Sequence, residues 1–550
     1  MRRSNAHSRV KSKSDRAGMD PIRLQTRPGN RSSSINAFAR ANSKNAKSNP
    51  MLTIASIATA VGFLFVCYSI LFPGMNRMSS LRYSVVIDGG STGTRIHVFG
   101  YRIESGKPVF DFRGQNYASL KVNPGLSAYA EDPDGADVSL SELVEFAKRR
   151  IPKGLWIESE IRLMATAGMR LLELPVQERI LEVTRRVLRT SGFKFRDEWS
   201  SVISGSDEGI YAWVVANYAL GTLGGDPLQT TGIIELGGAS AQVTFLSSEP
   251  VPPEFSRTVS FGNFSYSLYS HSFLHFGQNA AHEKLWGSLV SAEQNSAAES
   301  VQKRIFMDPC IPKGYDLDTN SPKLLSGFLA GKNTFTAVQA GGNFSECRSA
   351  ALAILQDGKD ACPYQHCSVG STFTPKLRGK FLATENFFYT SKFFGLGEKA
   401  SLSDLIFAGE KFCGEDWSKL RVKNPSLEDE DLLRYCFSSA YIAALLHDSL
   451  GISPDDGRVI FTNQAGEIPL DWALGAFILN TAMTISHASP HHRLAWFDAL
   501  IGQDSTKLLY LVGIPIFLAF SVYLVSKWRK PQLKTVYDLE KGRYIVTRVR

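Results

Sequence analysis

The chain has 550 residues and 43% hydrophobic content, enough for two or three domains with substantial cores. Its net charge of +9 is concentrated in the tails: residues 1–50 carry twelve Lys/Arg against two acids, and 526–550 carry eight against two. Subtracting the resulting +10 and +6 from +9 leaves −7 for the rest, which argues against nucleic acid as a partner of the body.

Two apolar runs predict a membrane protein. The basic, Ser/Asn-rich segment 1–50 has the composition of a disordered tail, and the uncharged run 51–72 is long enough to cross a bilayer as a retained anchor. A second uncharged run, 508–525, is followed by Lys527, Arg529 and Lys530, and we interpret it as a second span, with a buried core helix as the alternative.

The positive-inside rule sets the expected topology. Because both basic tails, 1–50 and 526–550, should stay cytoplasmic, the body between the spans lies in a lumen or outside the cell. We therefore expect a protein of the secretory pathway, in the Golgi, a vesicle or the plasma membrane.

The stretch from Ser84 to Gly100 predicts a β-hairpin with a glycine-rich turn. An apolar run ends at Asp88, the first loop follows as Gly89-Gly90-Ser91-Thr92-Gly93, and an alternating run leaves it. Glycines let backbone N–H groups surround an anion and the hydroxyls add donors, so this loop can bind a phosphate. It is not a Walker loop, because a strand follows and no Gly-Lys-Ser is present.

The same pattern recurs from Gly232. An apolar run ends at Glu235, the second loop follows as Gly237-Gly238-Ala239-Ser240, and an exit strand passes through Gln242. The recurrence predicts two related halves that face one ligand. Two such loops could hold a polyphosphate from both sides, and each places a carboxylate where it could hold a metal ion directly or through water.

Two segments between the loops have open interpretations. Residues 161–170 read as a buried strand that ends in small residues, which either admit a ligand or form an ordinary strand-to-helix turn. At 204–209 a turn leads into a buried helix with Asp207 and Glu208 in its first turn. These acids either cap the helix or provide a general base.

Cysteines and sequons agree with export. Of seven cysteines, Cys67 lies in the first apolar run and six lie in the body. An even number in an exported region favours disulfides, and no two of the six have the spacing of a zinc knuckle. Asn263 and Asn343 begin Asn-Phe-Ser sequons and are predicted to be glycosylated.

Five blocks resemble, in order, the apyrase conserved regions of the nucleoside triphosphate diphosphohydrolases, most closely the membrane-bound plant-type apyrases. They are Asp88-Gly-Gly-Ser-Thr-Gly-Thr-Arg95, Thr166-Ala-Gly-Met-Arg170, Ser204-Gly-Ser-Asp-Glu-Gly209, Glu235-Leu-Gly-Gly-Ala-Ser240 and Gly466-Glu-Ile-Pro-Leu-Asp471-Trp472-Ala-Leu-Gly475.

The resemblance implies an α/β fold of two actin-like, ribonuclease-H-like lobes with the active site in the cleft between them. It assigns 81–204 and 464–500 to the first lobe and 205–463 to the second. It also pairs the cysteines in sequence order: Cys310 with Cys347, Cys362 with Cys367, and Cys413 with Cys436.

The implied activity is removal of terminal phosphates from nucleoside tri- and diphosphates with Ca²⁺ or Mg²⁺. Glu208 matches the general base that takes a proton from the attacking water, whereas Asp207 has no such role. Matches to phosphate-binding positions are Gly89, Gly90, Ser91, Thr92, Gly93, Arg95, Gly237, Gly238, Ala239, Ser240 and Gln242. Matches to positions that organise the hydrated metal ion are Asp88, Thr166, Glu235 and Trp472.

Two positions depart from the family's usual residues. Glu235 stands where Asp is usual, and its extra methylene moves the carboxylate by roughly 1.5 Å. Gly89 stands where Ala is commoner. Two alternative functions stay open. One is a phosphotransferase of the same fold, and the other is a non-catalytic nucleotide sensor, which Glu235 suggests.

Two further groups have less specific signals. Phe387, Phe388 and Tyr389 resemble the family's nucleotide-stacking segment, with a strand core as the equal alternative. The spacing of His487, His491 and His492 is compatible with metal binding, but a polar loop before the second apolar run is the favoured interpretation.

Overall fold

The structure is a computed structural model. It describes residues 81–104, 107–110, 116–296, 305–317, 337–488, 532–540 and 542–549, with seven single residues between 513 and 524. The chain divides into two units, Met1–Asn76 and Arg77–Arg550. The first unit, which contains the predicted tail and first span, lies outside the described residues, and all the elements named below belong to the second.

The strands are, in chain order, β1 (Arg82–Gly89), β2 (Thr94–Glu104), β3 (Lys107–Phe110), β4 (Tyr117–Val122), β5 (Glu160–Ala165), β6 (Ser200–Val202), β7 (Gly232–Leu236), β8 (Ser240–Phe245), β9 (Ser256–Phe261), β10 (Phe264–Leu274), β11 (Ile305–Asp308), β12 (Asp316–Leu317), β13 (Ala337–Ala340), β14 (Cys367–Val369), β15 (Thr372–Phe373), β16 (Phe381–Glu385), β17 (Val459–Phe461), β18 (Gln464–Ala465), β19 (Ile468–Pro469), β20 (Gln532–Asp538) and β21 (Arg543–Val549).

The α-helices are α1 (Ala136–Arg150), α2 (Ala167–Arg170), α3 (Leu174–Arg189), α4 (Gly205–Ala219), α5 (Gln278–Ser296), α6 (Phe344–Gln356), α7 (Asn386–Phe393), α8 (Leu402–Cys413), α9 (Trp417–Lys423), α10 (Asp429–Ala443) and α11 (Trp472–Ala488). A π-helical turn, Ala444–Ser449, continues α10.

Two six-stranded sheets share the order of four strands, β6-β5-β1-β2 in the first and β17-β16-β7-β8 in the second, and differ in how their other two strands pair. In the first sheet the order is β3-β2-β1-β5-β6, with β4 also paired to β2. Strand β2 is antiparallel to β1, whereas β5 and β6 run parallel to it. The second sheet, β17-β16-β7-β8-β10-β9, repeats this arrangement: β8 is antiparallel to β7, and β16 and β17 run parallel to β7. The repeat agrees with the two related halves expected from the loops.

Both faces of the first sheet are buried around the middle of β1, which explains its consecutive apolar residues Val85, Val86 and Ile87. Val85 and Ile87 point into the cluster formed with α1 and α3. Val86 points the other way, into a cluster that also contains residues of α4, α11 and the second sheet. The opposite face of the second sheet packs against α5, α6, α8 and α10.

Helices α4 and α11 form the layer between the sheets. Helix α4 contacts β7, β8 and β10, α11 contacts β1, β2 and β3, and the two helices contact each other. A Cβ at Gly475 would overlap the backbone carbonyl of Tyr211, so this crossing requires a glycine. The lobe boundaries implied by the resemblance stay a prediction.

The cysteines form three disulfides in the second half of the body: Cys310–Cys347, Cys362–Cys367 and Cys413–Cys436. This is the sequence-order pairing that the resemblance implies. Cys413–Cys436 joins the end of α8 to the middle of α10, so it fixes α10 against its neighbour.

The two predicted membrane spans fall mostly outside the residues that the structure describes. None of the helices that the structure describes is long and apolar enough to cross a bilayer. The run 51–72 lies outside the described residues, and only seven residues of 508–525 are described, all of them helical. Both spans stay predictions.

Candidate active site

Two hairpin turns face each other across one cleft. Strands β1 and β2 are joined through residues 90–93, with Asp88 opposite Arg95 in the ladder. Strands β7 and β8 are joined through 237–239, with Glu235 opposite Gln242. Both predicted hairpins are therefore confirmed. A Cβ at Gly238 would lie 2.9 Å from Ser91 Oγ, so the loops approach each other closely.

The cleft has a volume of about 440 Å³ and contains most of the residues that the sequence singled out. The predicted residues that line it are Asp88, Gly90, Ser91, Thr92, Gly93, Arg95, Thr166, Glu208, Glu235, Gly237, Gly238, Ala239, Ser240, Gln242 and Trp472. Gly89 does not line it. Gly89 is the last residue of β1, and its carbonyl accepts the Thr166 N–H at 3.1 Å, behind the loop.

The structure distinguishes the two acids at the start of α4. Ser204 caps the helix: its Oγ accepts the Asp207 N–H at 3.1 Å and donates to Asp207 Oδ2 at 2.7 Å. Asp207 therefore serves the cap and does not line the cleft. Glu208 does line it, with only 9% of its surface exposed. Its position is compatible with the general base that the resemblance implies.

Arg170 holds the Glu208 carboxylate. It ends α2, and its Nη2 donates to Glu208 Oε2 at 2.6 Å and reaches Ser240 Oγ of the second loop at 3.5 Å. Burial raises the pKa of Glu208, while the Arg170 charge and hydrogen bonds from Arg170 and Gln242 partly offset this rise. One guanidinium thus orients the carboxylate and favours its charged form.

Two carboxylates that flank the loops each have one buried oxygen without a hydrogen-bond partner. Within the described part of the chain, Asp88 Oδ1 and Glu235 Oε2 are buried and unpaired. Burial, followed by repulsion from Asp471 and Glu208, raises the pKa of Asp88 well above its usual range. Burial, followed by repulsion from Glu208 and Glu385, does the same for Glu235.

Acids outnumber cations around the two loops. The acids there are Asp88, Glu208, Glu235, Glu385 and Asp471, and the cations are Arg95, Lys121 and Arg170. Unpaired carboxylate oxygens and excess negative charge suit a hard divalent cation. No group of three or more His, Cys, Asp or Glu side chains arranged to hold a metal ion occurs among the residues described.

Asp471 ties the first hairpin to α11. Its Oδ2 accepts a hydrogen bond from Arg95 Nη1 at 3.1 Å and lies 3.6 Å from His97 Nε2, while its Oδ1 accepts the Ala473 N–H. Burial acts to raise the pKa of Asp471, but His97, Arg95 and the Ala473 N–H outweigh it and hold the pKa below its usual value. The contacts also bring the neighbouring Trp472 to the cleft.

Several cleft residues were not predicted. They include Lys121, Gln278, Asn279, Glu385, Asn386, Thr390, Asp431, Arg434, Tyr435 and Ser438. Glu385 had a signal that could have found it, because it is an acid at the end of a mostly apolar strand, and Asp88 and Glu235 are acids one residue before the ends of theirs. Tyr435 had no local signal beyond its place on a mostly buried helix.

The aromatic residues of the predicted stacking segment differ in how far they are buried. Phe387 is fully buried in the core of the second sheet, whereas Tyr389, two residues later on α7, is 46% exposed and lines the cleft. Tyr435 of α10 lines the cleft as well, and its ring stacks on Phe393 with centroids 3.5 Å apart. The cleft is therefore lined by aromatic rings in addition to the two glycine-rich loops.

The remaining candidates lie elsewhere. His487 falls in the last turn of α11 rather than in the expected loop, and His491 and His492 lie outside the described residues. Asn263 is exposed in the turn between β9 and β10. Asn343 caps α6, where its Oδ1 accepts the Glu346 N–H.

Comparisons with known proteins show which proteins this chain is similar to. The model of the GDA1/CD39 (nucleoside phosphatase) family matches residues 75–493. "Probable apyrase 6" of Arabidopsis thaliana is 72% identical and covers 100% of both chains. "Probable apyrase 4" of the same plant is 67% identical over 88% of this chain and 95% of its own. Human "Ectonucleoside triphosphate diphosphohydrolase 3" is 28% identical over 82% of this chain and 87% of its own.

The fold is also found in a solved structure. The crystal structure of nucleoside triphosphate hydrolases from Neospora caninum matches with a TM-score of 0.57 at 19% identity, covering 79% of this chain and 97% of that one. At this identity the likeness concerns the fold alone. The family match and the full-length relatives identify this chain as a member of the GDA1/CD39 (nucleoside phosphatase) family.

Proposed function

We propose that this chain removes terminal phosphates from nucleoside tri- and diphosphates, the apyrase reaction. One observation carries the proposal: two glycine loops, on two sheets that share the order of four strands, face each other across a cleft that a buried glutamate lines. The names of its relatives, apyrases and ectonucleoside triphosphate diphosphohydrolases, support the same reaction.

In the proposed reaction the two loops bind the phosphate chain. The hydroxyls of Ser91, Thr92 and Ser240 and the loop N–H groups donate to phosphate oxygens. Arg95, oriented by Asp471, adds a cation on the side of the first loop. These donors position the terminal phosphorus for in-line attack.

Glu208 is the proposed base. Its carboxylate accepts a proton from the attacking water while the oxygen–phosphorus bond forms and the bond to the departing nucleotide breaks. Arg170 fixes the orientation of the carboxylate through the 2.6 Å contact and favours its unprotonated form. No covalent enzyme intermediate is needed.

A hydrated Ca²⁺ or Mg²⁺ ion fits the acids around the loops. Asp88 and Glu235 would hold it through water, with Thr166 and Trp472 at the edge of the same region. When bound, the ion would supply positive charge that offsets the charge developing on the phosphate during transfer. Glu235 lines the cleft despite its extra methylene, and we infer that water between carboxylate and ion accommodates the added length.

The aromatic residues suggest where the nucleobase of the nucleotide binds. Tyr389 and Tyr435 line the cleft from α7 and α10, and we infer that the nucleobase stacks on them. Because every nucleobase has a stacking face, this contact by itself accepts all of them.

We also propose that two membrane spans, 51–72 and 508–525, hold the body on the lumenal or extracellular side of a secretory-pathway membrane, with both tails cytoplasmic. The basic flanks and the three disulfides support this placement. Glycosylation at Asn263 and Asn343 would follow from it.

One assay tests both reaction and location. In sealed membrane vesicles with their cytoplasmic face outward, ATP or ADP added outside should release inorganic phosphate only after detergent opens the vesicles. Release should require Ca²⁺ or Mg²⁺ and stop when a chelator removes them. Released phosphate is measured by colorimetry.

Vesicles that carry the Glu208→Gln protein provide the background. Absence of phosphate release from any nucleotide after detergent treatment would contradict the hydrolase proposal and favour a nucleotide sensor. Phosphate release without detergent would contradict the location but leave the hydrolase proposal intact.

A further inference from the structure

Glu385 has a backbone conformation that is rare for a residue with a side chain. It joins β16 to α7 with φ 60° and ψ −120°. Such a conformation is costly for a non-glycine residue and is retained where the surroundings enforce it, often at functional sites. Two hydrogen bonds enforce it here: the Glu385 N–H donates to Asn463 Oδ1 at 2.7 Å, and Asn386 Nδ2 donates to the Leu236 carbonyl at 2.7 Å.

The turn brings the Glu385 carboxylate to the cleft. Strand β16 runs parallel to β7, with Thr384 opposite Glu235 and Glu385 opposite Leu236. Its side chain lines the cleft. Within the residues described, this carboxylate makes no hydrogen bond or ion pair, although Arg95 and Lys121 are near enough to act on its charge.

Glu385 lies close both to charged residues around the first loop and to Tyr389. Asp471 is the nearby charge with the largest influence on its carboxylate, followed by Arg95 and Lys121. Tyr389 follows one helical turn later on α7, and the Glu385 charge acts on its hydroxyl. A nucleotide with phosphates on the loops and its base on the tyrosines would present its sugar to Glu385.

The chemistry of the sugar fits a carboxylate. Phosphates offer only acceptors and negative charge, which an ionised carboxylate repels. The ribose offers two neighbouring hydroxyl donors, and a carboxylate has two oxygens that only accept. The two hydrogen bonds fix the backbone and so the direction in which the Glu385 side chain enters the cleft, where its carboxylate oxygens can accept from such a pair.

We propose that Glu385 binds the ribose by accepting hydrogen bonds from its 2′ and 3′ hydroxyls, so that the site selects ribonucleotides over 2′-deoxyribonucleotides. The inference rests on the proposed function, because it assumes a nucleotide in the cleft. It adds a specificity-determining residue that lies outside the five motif blocks.

Binding tests the inference without turnover. The purified full chain is titrated by calorimetry, in Ca²⁺, with the α,β-methylene analogue of ADP and with its 2′-deoxy counterpart. Wild type should bind the ribo form about tenfold more tightly, the effect of one hydrogen bond to a charged group. Glu385→Ala should bind both forms alike, and Glu385→Gln should keep part of the preference.

The Glu385→Gly variant separates the effect of losing the carboxylate from the effect of the strained backbone. Glycine adopts φ 60° without strain, so this variant should fold at least as stably as wild type and still lose the preference. It therefore keeps the test decisive if Glu385→Ala folds poorly. Glu398→Ala removes an exposed acid outside the cleft and should keep the wild-type ratio.

Three outcomes would overturn the inference. The first is equal affinity of wild type for the two analogues, and the second is an unchanged ratio in the Ala and Gly variants. The third is that the Glu385 variants keep the wild-type ratio of affinities for the two analogues but need a higher Ca²⁺ or Mg²⁺ concentration for half-maximal nucleotide binding. That result would make Glu385 part of the cation site. Failure of this inference alone leaves phosphate release in the vesicle assay intact, whereas failure of the proposed function abolishes it.

Discussion

Replacing Glu208 by glutamine is expected to lower kcat for phosphate release by about 10²- to 10⁴-fold, the contribution of a general base. Glutamine has nearly the same size and can still accept the hydrogen bond from Arg170, but it cannot take a proton from water. Nucleotide affinity should therefore change by less than about tenfold. Phosphate release and nucleotide binding are measured on the same preparation.

Asp207→Asn is the matched control. Asp207 is the adjacent acid of the same helix turn, yet it serves the Ser204 cap and does not line the cleft. The variant should lose at most about 1 kcal/mol of unfolding free energy and keep its kcat. If both variants lost activity equally, the assignment of the base to Glu208 would be wrong.

Replacing Arg170 by alanine is expected to shift the pH dependence of activity. Burial already raises the pKa of Glu208, and loss of Arg170 removes the main opposing influence, so the pKa rises further. The base must be unprotonated to act. The acid limb of kcat/KM should therefore move to higher pH, and activity near neutral pH should fall by about tenfold or more.

The loss of stability that the same substitution causes, relative to wild type, should depend on pH. Removing one partner of a buried ion pair costs about 3–5 kcal/mol, and both side chains here are largely shielded from solvent. Because the folded-state pKa of Glu208 would lie above its unfolded value, protonation relieves the cost. The deficit in unfolding free energy should be small at low pH and should grow as pH rises through that folded pKa.

Arg162→Ala is the comparison for Arg170→Ala. Arg162 lies on β5 and pairs with Glu160 outside the cleft. Its removal should leave the acid limb in place. An unshifted acid limb in Arg170→Ala would show that Arg170 does not control the protonation of Glu208.

The two glycine hairpins could be predicted because their signals are local. An alternating strand, a glycine turn and a second strand lie within about fifteen residues, and the structure contains both hairpins. Gly89 was assigned to the phosphate site because it belongs to the motif. It lies behind the loop because β1 extends through it and its carbonyl binds Thr166.

The rest of the site depends on contacts distant in sequence. Asp207 and Glu208 look equivalent in the sequence, and only the Ser204 cap and the position of Arg170 distinguish them. Glu385 and Tyr435 come from β16 and α10, whose sequences alone do not reveal that they face loops about 150 to 350 residues away. Position in the fold brings both residues to the cleft; an acid at a strand end is a local signal for Glu385, but no local pattern predicts Tyr435.

A single turnover of ADP in water enriched in ¹⁸O tests most directly whether water attacks the terminal phosphorus in this cleft. We expect the released inorganic phosphate to carry the label and the nucleoside monophosphate to lack it, because the bridging oxygen leaves with the nucleotide. Label in the nucleoside monophosphate would contradict the proposed reaction, since water would then have attacked the inner phosphorus and the loops would hold the substrate in a different register.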